Sequence, residues 1–189
     1  VTPLVKEMIK LLREVIPSTI EVRLDVRTQA DMIRGDATQL HQILMNLCTN
    51  AYQAMQDTGG LLEVTLDAAA VPEIAGNEEQ QGLKPGAYLK LTVHDTGPGI
   101  DPLIRERIFD PFFTTKNVGE GTGLGLSVVH GIVSSYGGKI VVESGVGEGT
   151  SFSVYLPLAG ESEPAAPARA VPALLEGEGR ILLVDDEVV

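Results

Sequence analysis

Asn46 and Asn50 lie four residues apart in the run DATQLHQILMNLCTNAYQAM (36–55). On a helix that spacing stacks the two amides one turn apart. Their oxygens can serve a hard cation such as Mg²⁺, which takes oxygen ligands and keeps several waters. The same pair also suits an ordinary hydrated helix face, so it signifies chemistry only in company. Three glycine-rich segments provide that company. DTGPGI (95–100) has Gly97 and Gly99 for a tight turn and close backbone approach, and Asp95 as an acceptor for an exocyclic amine such as that of adenine. GEGTGLGLS (119–127) opens a helical stretch with glycines, and amides at a helix N-terminus bind phosphate without side-chain charge. GVGEGTSF (145–152) runs into a strand at Thr150. Each segment alone is equally a structural turn; together with the amide pair they point to a nucleotide site.

Between the first two segments, RERIFDPFFTTK (105–116) carries three of the four phenylalanines of the chain, Phe109, Phe112 and Phe113. Apolar anchors in a polar, glycine-bounded loop suggest a lid, with Lys116 a partner for a terminal phosphate; a small hydrophobic cluster under a long loop is the other reading. Competing motifs fit poorly. GTGLGL lacks the G-x-G-x-x-G spacing of dinucleotide sites, and Gly138-Lys139 lacks the rest of a P-loop. Asp-Thr-Gly occurs at 57–59 and 95–97, as in the paired loops of aspartic proteases, but the first copy ends a helical pattern instead of a strand.

The elements that must position these residues are legible from periodicity. The chain has 189 residues, a 43% hydrophobic fraction and a net charge of −12, enough for one cored domain with appendages. So acidic a balance disfavours nucleic-acid and anionic-membrane contact. One cysteine, Cys48, allows no internal disulfide and suits a reducing compartment. Helical spacing covers 3–15 and 36–56, with Asp36 as N-cap, and 124–136. In the long helix, Leu40, Ile43, Leu44, Leu47, Ala51 and Ala54 share the core face, and Gln39, Gln42, Asn46, Asn50 and Gln53 share a polar one. Alternation predicts strands at 20–26, 61–66, 87–94, 139–143 and 150–156, with 67–86 a polar surface excursion. The expected fold class is α/β: a two-layer sandwich with helices on one face of a mixed sheet.

In order, N-L-x-x-N-A, D-T-G-P-G-I, F-D-P-F-F-T-T-K, G-T-G-L-G-L and G-E-G-T resemble the ATP-binding catalytic domain of sensor histidine kinases, within the GHKL superfamily that includes gyrase B. The resemblance covers residues 1–158 and implies the Bergerat sandwich, with ATP and Mg²⁺ as cofactors. It implies catalytic roles for Asn46, Asn50 and Lys116, with Asn50 the Mg²⁺ ligand. Asp95, with Gly97, Gly99, Ile100 and Thr150, would hold adenine. Residues 101–123 would form an ATP lid, Gly121, Gly123 and Gly125 would meet the phosphates, and Phe112, Thr122, Leu124 and Leu126 would also bind the cofactor. Hydrolysing relatives carry a glutamate where Asn46 stands; an amide is a poor general base, so phosphoryl transfer to a histidine is implied over hydrolysis.

Two departures stand out. Gln53 occupies a position where many such kinases have Lys or Arg. His41, His94 and His130 lack the helical His-Glu or His-Asp setting of the phosphoacceptor, which is therefore expected on a separate dimerisation domain, and this chain alone is not expected to autophosphorylate. Residues 159–178 read as a Pro/Ala/Glu-rich linker. Residues 179–189, ending RILLVDDEVV, resemble the first strand of a response-regulator receiver, with Asp185 and Asp186 as its acidic pair, so the parent reads as a hybrid kinase whose partners include a receiver domain or response regulator. A cytoplasmic location is expected, with the parent open to membrane anchoring. The alternative is a degenerate nucleotide-binding or interaction module without kinase activity.

Overall fold

The computed structural model describes residues 1–72, 82–115 and 122–159. Its elements run α1 (Thr2–Val15), β1 (Ile20–Val26), α2 (Ala37–Met55), β2 (Gly60–Val71), β3 (Gly86–Asp95), α3 (Gly125–Ser135), β4 (Lys139–Gly145) and β5 (Gly149–Pro157). The five strands form one sheet in the order β1-β2-β3-β5-β4. β1 runs parallel to β2, which requires the long crossover that α2 supplies; the other pairings are antiparallel.

All three helices pack on one face of this sheet: α1 on β1, α2 on β2 and β3, α3 on β4 and β5. The strands alternate accordingly. Leu62, Val64 and Leu66 of β2, Leu89, Leu91 and Val93 of β3, and Val154 and Leu156 of β5 are buried against Ile43, Leu44 and Leu47 of α2 and Val129 and Val133 of α3 in one core. On the other face Val71, Tyr88 and Tyr155 form a second, smaller cluster.

Local signals explain where α2 begins. The Asp36 side chain accepts from the Thr38 amide at 2.7 Å, satisfying a donor that the first helical turn leaves without an intrahelical partner. The Tyr136 hydroxyl, at the end of α3, accepts from the Asp36 amide at 2.9 Å and donates to the Gln39 side-chain oxygen. It therefore ties the start of one helix to the end of the other.

The structure corrects three expectations. β2 does not stop at Leu66: Asp67 to Val71 continue it, paired in register with Lys90 to Gly86, because the partner strand supplies a ladder that an alanine-rich run does not advertise. In α2, Ala54 is exposed, whereas Cys48 and Met55 are fully buried; the core face is rotated slightly from the predicted one. Gln39 leaves the polar stripe for Tyr136.

Candidate active site

One cavity of about 910 Å³ opens between α2, the carboxyl end of β3, the loop after it, the segment entering α3, and β5. The size suits a small-molecule ligand. Of the residues expected at a site, Asn46, Asn50, Asp95, Gly99, Ile100, Thr122, Gly123, Leu124, Gly125, Leu126 and Thr150 line it. Lys116 and Gly121 lie outside the described residues. Gly97 does not line the cavity; its amide donates to the Asp95 Oδ1 at 2.9 Å. Phe112 does not line this cavity. It is 74% exposed with a left-handed φ of 66°, and Phe113 lines the cavity instead. The Phe112 amide donates to the Gly123 carbonyl at 3.0 Å.

At the sheet end, Asp95 closes β3 and is the register partner of Thr150; both are almost fully buried. Burial is the leading influence on the Asp95 carboxyl and pushes it above the ordinary carboxylate range. The Gly97 amide, the nearby His94 and the Thr150 amide pull it partly back. A desolvated carboxylate with spare acceptor capacity is a strong recognition element for an amine.

The neighbouring glycines are there because nothing larger fits. A Cβ on Gly99 (φ +75°) would run into the Gly145 carbonyl, and one on Gly149 (φ +84°) into the Asp95 carbonyl. The β4–β5 hairpin is thus pressed against the loop after β3, and the Gly147 amide bonds the Pro98 carbonyl at 2.8 Å. GVGEG is a buttress for the site more than a surface of it.

At the helix end, α2 presents Gln42, Met45, Asn46, Thr49, Asn50 and Gln53 to the cavity. Asn46 and Asn50 are half-buried. The N-terminus of α3 faces them: a Cβ on Gly125 would sit 3.1 Å from the Asn46 Oδ1. The positive end of a helix dipole therefore meets the Asn46 oxygen across a narrow gap, with Asn50 lining the same cavity, a setting for phosphate and a bridging cation. No group of three or more His, Cys, Asp or Glu side chains among the described residues can hold a metal. A cation here would accordingly take most of its oxygens from the ligand and water, which is the habit of Mg²⁺ on nucleotide phosphates.

Sequence reasoning passed over Met45, Thr49 and Ser144, and named Phe113 only as a lid anchor. Thr49 sits three residues after Asn46 on the same face, a signal available from spacing. Ser144 carried none.

The family model for histidine kinase-, DNA gyrase B- and HSP90-like ATPases matches residues 35–160. The chain belongs to this family. The ATPase domain is 37% identical to the sensor kinase CckA of Brucella abortus over 98% of this chain and 20% of that protein. It is 45% identical to the two-component sensor PprA of Pseudomonas aeruginosa over 76% of this chain and 14% of that protein. Among solved structures, the nucleotide-free catalytic domain of histidine kinase ThkA matches with a TM-score of 0.65 at 30% identity, covering 84% of this chain and 92% of that one. Full-length ShkA in complex with AMPPNP matches with a TM-score of 0.65 at 29% identity, covering 90% of this chain and 32% of that one. The ATPase domain thus spans a fifth or less of these two curated relatives. Its mixed sheet with helices on one face is the fold of histidine-kinase catalytic domains, and it is homologous to the sensor kinases of two-component systems. Among the described residues no helix is long and apolar enough to cross a membrane.

Proposed function

We propose that this domain binds Mg²⁺-ATP and donates the γ-phosphoryl group to a histidine on a separate dimerisation domain, as the catalytic part of a two-component sensor kinase. The observation that carries this reading is the pairing within one cavity of a buried carboxylate, Asp95, with the facing Asn46/Asn50 pair and α3 N-terminus. Adenine would meet Asp95 and Thr150. Asn50, with Asn46 beside it, would hold Mg²⁺ on the phosphates, and the amides at 122–125 would take the remaining phosphate charge. Mg²⁺ supplies charge neutralisation; phosphoryl transfer asks the protein mainly for positioning. Lys116 is proposed as a further phosphate contact.

The neutral amide at Asn46 favours transfer over hydrolysis, since no carboxylate stands on that face of α2 to activate water. His94 accepts or donates one hydrogen bond with the Ser151 hydroxyl on the far face of the sheet, and His130 packs on the Phe109 ring. Those contacts support a phosphoacceptor elsewhere. Residues 159–178 are proposed as a linker and 179–189 as the start of a receiver domain, with Asp185 and Asp186 its acidic pair; a receiver or response regulator then accepts the phosphoryl group. A cytoplasmic site of action follows from the ATP requirement.

Calorimetric titration with a non-hydrolysable ATP analogue and Mg²⁺, followed by phosphorylation of an added dimerisation domain, tests the reading. Binding with transfer to histidine is expected. Binding without transfer would favour a nucleotide-binding module that lacks kinase activity.

A further inference from the structure

Ser144, in β4, is half-buried behind the sheet end of the cavity. Its Oγ meets three groups: the Ile100 amide at 2.8 Å, the Gly149 carbonyl oxygen at 2.8 Å and the Thr150 Oγ1 at 3.0 Å. A serine hydroxyl has one proton and two lone pairs. The Gly149 carbonyl has no proton to give, so the Ser144 proton goes to it. The Ile100 amide takes one lone pair. The remaining lone pair faces Thr150, whose hydroxyl must then be the donor in that contact.

The Thr150 proton is thereby committed away from the cavity, and only lone pairs remain for a ligand. Thr150 lines the cavity beside Asp95, and the two residues are 5% and 4% exposed. An ionised Asp95 also offers only acceptors. The deep wall is therefore acceptor-only. In the seat that puts the 6-substituent at Asp95, adenine offers its N6 amine, a donor, and guanine offers the O6 acceptor instead. Two acceptors facing each other in a buried place both lose their partners, which is the strongest basis for discrimination between similar ligands.

We propose that Ser144 is a positioning residue that sets purine selectivity by holding the Thr150 hydroxyl proton out of the cavity. This rests on the ATP-binding reading and deepens it. In Ser144→Ala the Thr150 hydroxyl is released and can turn its proton toward a guanine O6. The preference for ATP over GTP then falls roughly three- to tenfold. A purely structural role, through Ile100 and Gly149, would weaken both nucleotides alike and leave the ratio unchanged.

The test is calorimetric titration of the full chain with Mg²⁺-ATP and Mg²⁺-GTP, for the parent, Ser144→Ala, Thr150→Val and the double variant. The expected result is a reduced ratio in Ser144→Ala and no further effect of Ser144→Ala on the Thr150→Val background, where there is no hydroxyl to release. If Ser144→Ala does not fold, Ser144→Cys, a weaker donor and acceptor of similar size, carries the same expectation. An unchanged ratio, or the same change on the Thr150→Val background, overturns the role of Ser144 and leaves the ATP-binding reading standing. Failure of the parent to bind either nucleotide overturns both.

Discussion

At the sheet end of the cavity, Asp95 and Thr150 are buried strand residues in register with each other. They are braced by the hairpin at 145–149 through backbone contacts that tolerate no Cβ at Gly99 or Gly149. At the helix end, Asn46 and Asn50 are half-buried side chains on one turn-spaced stripe of α2, which would remain a helix without them. On the proposed reading, base recognition is built into the fold, whereas the phosphate and metal contacts would sit on an element that folds for other reasons. Changes at the first end should cost structure or specificity together; changes at the second should cost chemistry alone.

The largest expected effect separates the two ends most sharply. Gly99→Ala forces a side chain onto a left-handed φ and into the Gly145 carbonyl. A loss of about 3 kcal/mol or more in thermal or urea unfolding is expected, and adenosine binding should disappear with it. Asp95→Asn comes next. Its amide keeps an oxygen for the Gly97 amide but loses the anionic acceptor, so ATP affinity should fall by roughly 10- to 100-fold in calorimetry.

Asp95→Asn also tests the burial of charge. Because the carboxyl is pushed up in the folded protein, the folded state holds its proton more readily than the unfolded one. Stability from this group is therefore lost as pH rises from the ordinary carboxylate value through the raised one. At neutral pH the neutral amide should melt no lower than the parent. A clearly lower melting temperature for Asp95→Asn would show that the carboxylate itself holds structure, against the sign that its burial gives.

Asn50→Ala sharpens the other half. The Mg²⁺-dependent gain of ATP over adenosine should fall by about tenfold, with adenosine affinity unchanged and stability within roughly 0.5 kcal/mol. Loss of adenosine binding in this variant would sink the separation of the two ends. The smallest effect is expected between them: Tyr136→Phe removes the hydroxyl that joins Asp36 and Gln39. About 1 kcal/mol of stability should go, with little change in ATP affinity.

Much of this arrangement is legible in the amino-acid order. The Asp36 cap, the stripe Leu40, Ile43, Leu44 and Leu47, and the alternation in 20–26 and 87–94 each belong to a single element, and period alone reveals them. The polar amide pair and the glycine segments were visible for the same reason: their spacing is local. By itself, then, the sequence determined the elements, the sandwich, and the types of group available for a nucleotide. Only the tertiary structure decided which of them share a cavity. It carried β2 on to Val71, put Met55 in the core and Ala54 at the site, and aimed Phe113 inward while Phe112 points out. It also set the Ser144 hydroxyl between Ile100, Gly149 and Thr150. Each of those outcomes depends on a partner distant in sequence, and a hydrogen bond has a direction that no one-dimensional period records.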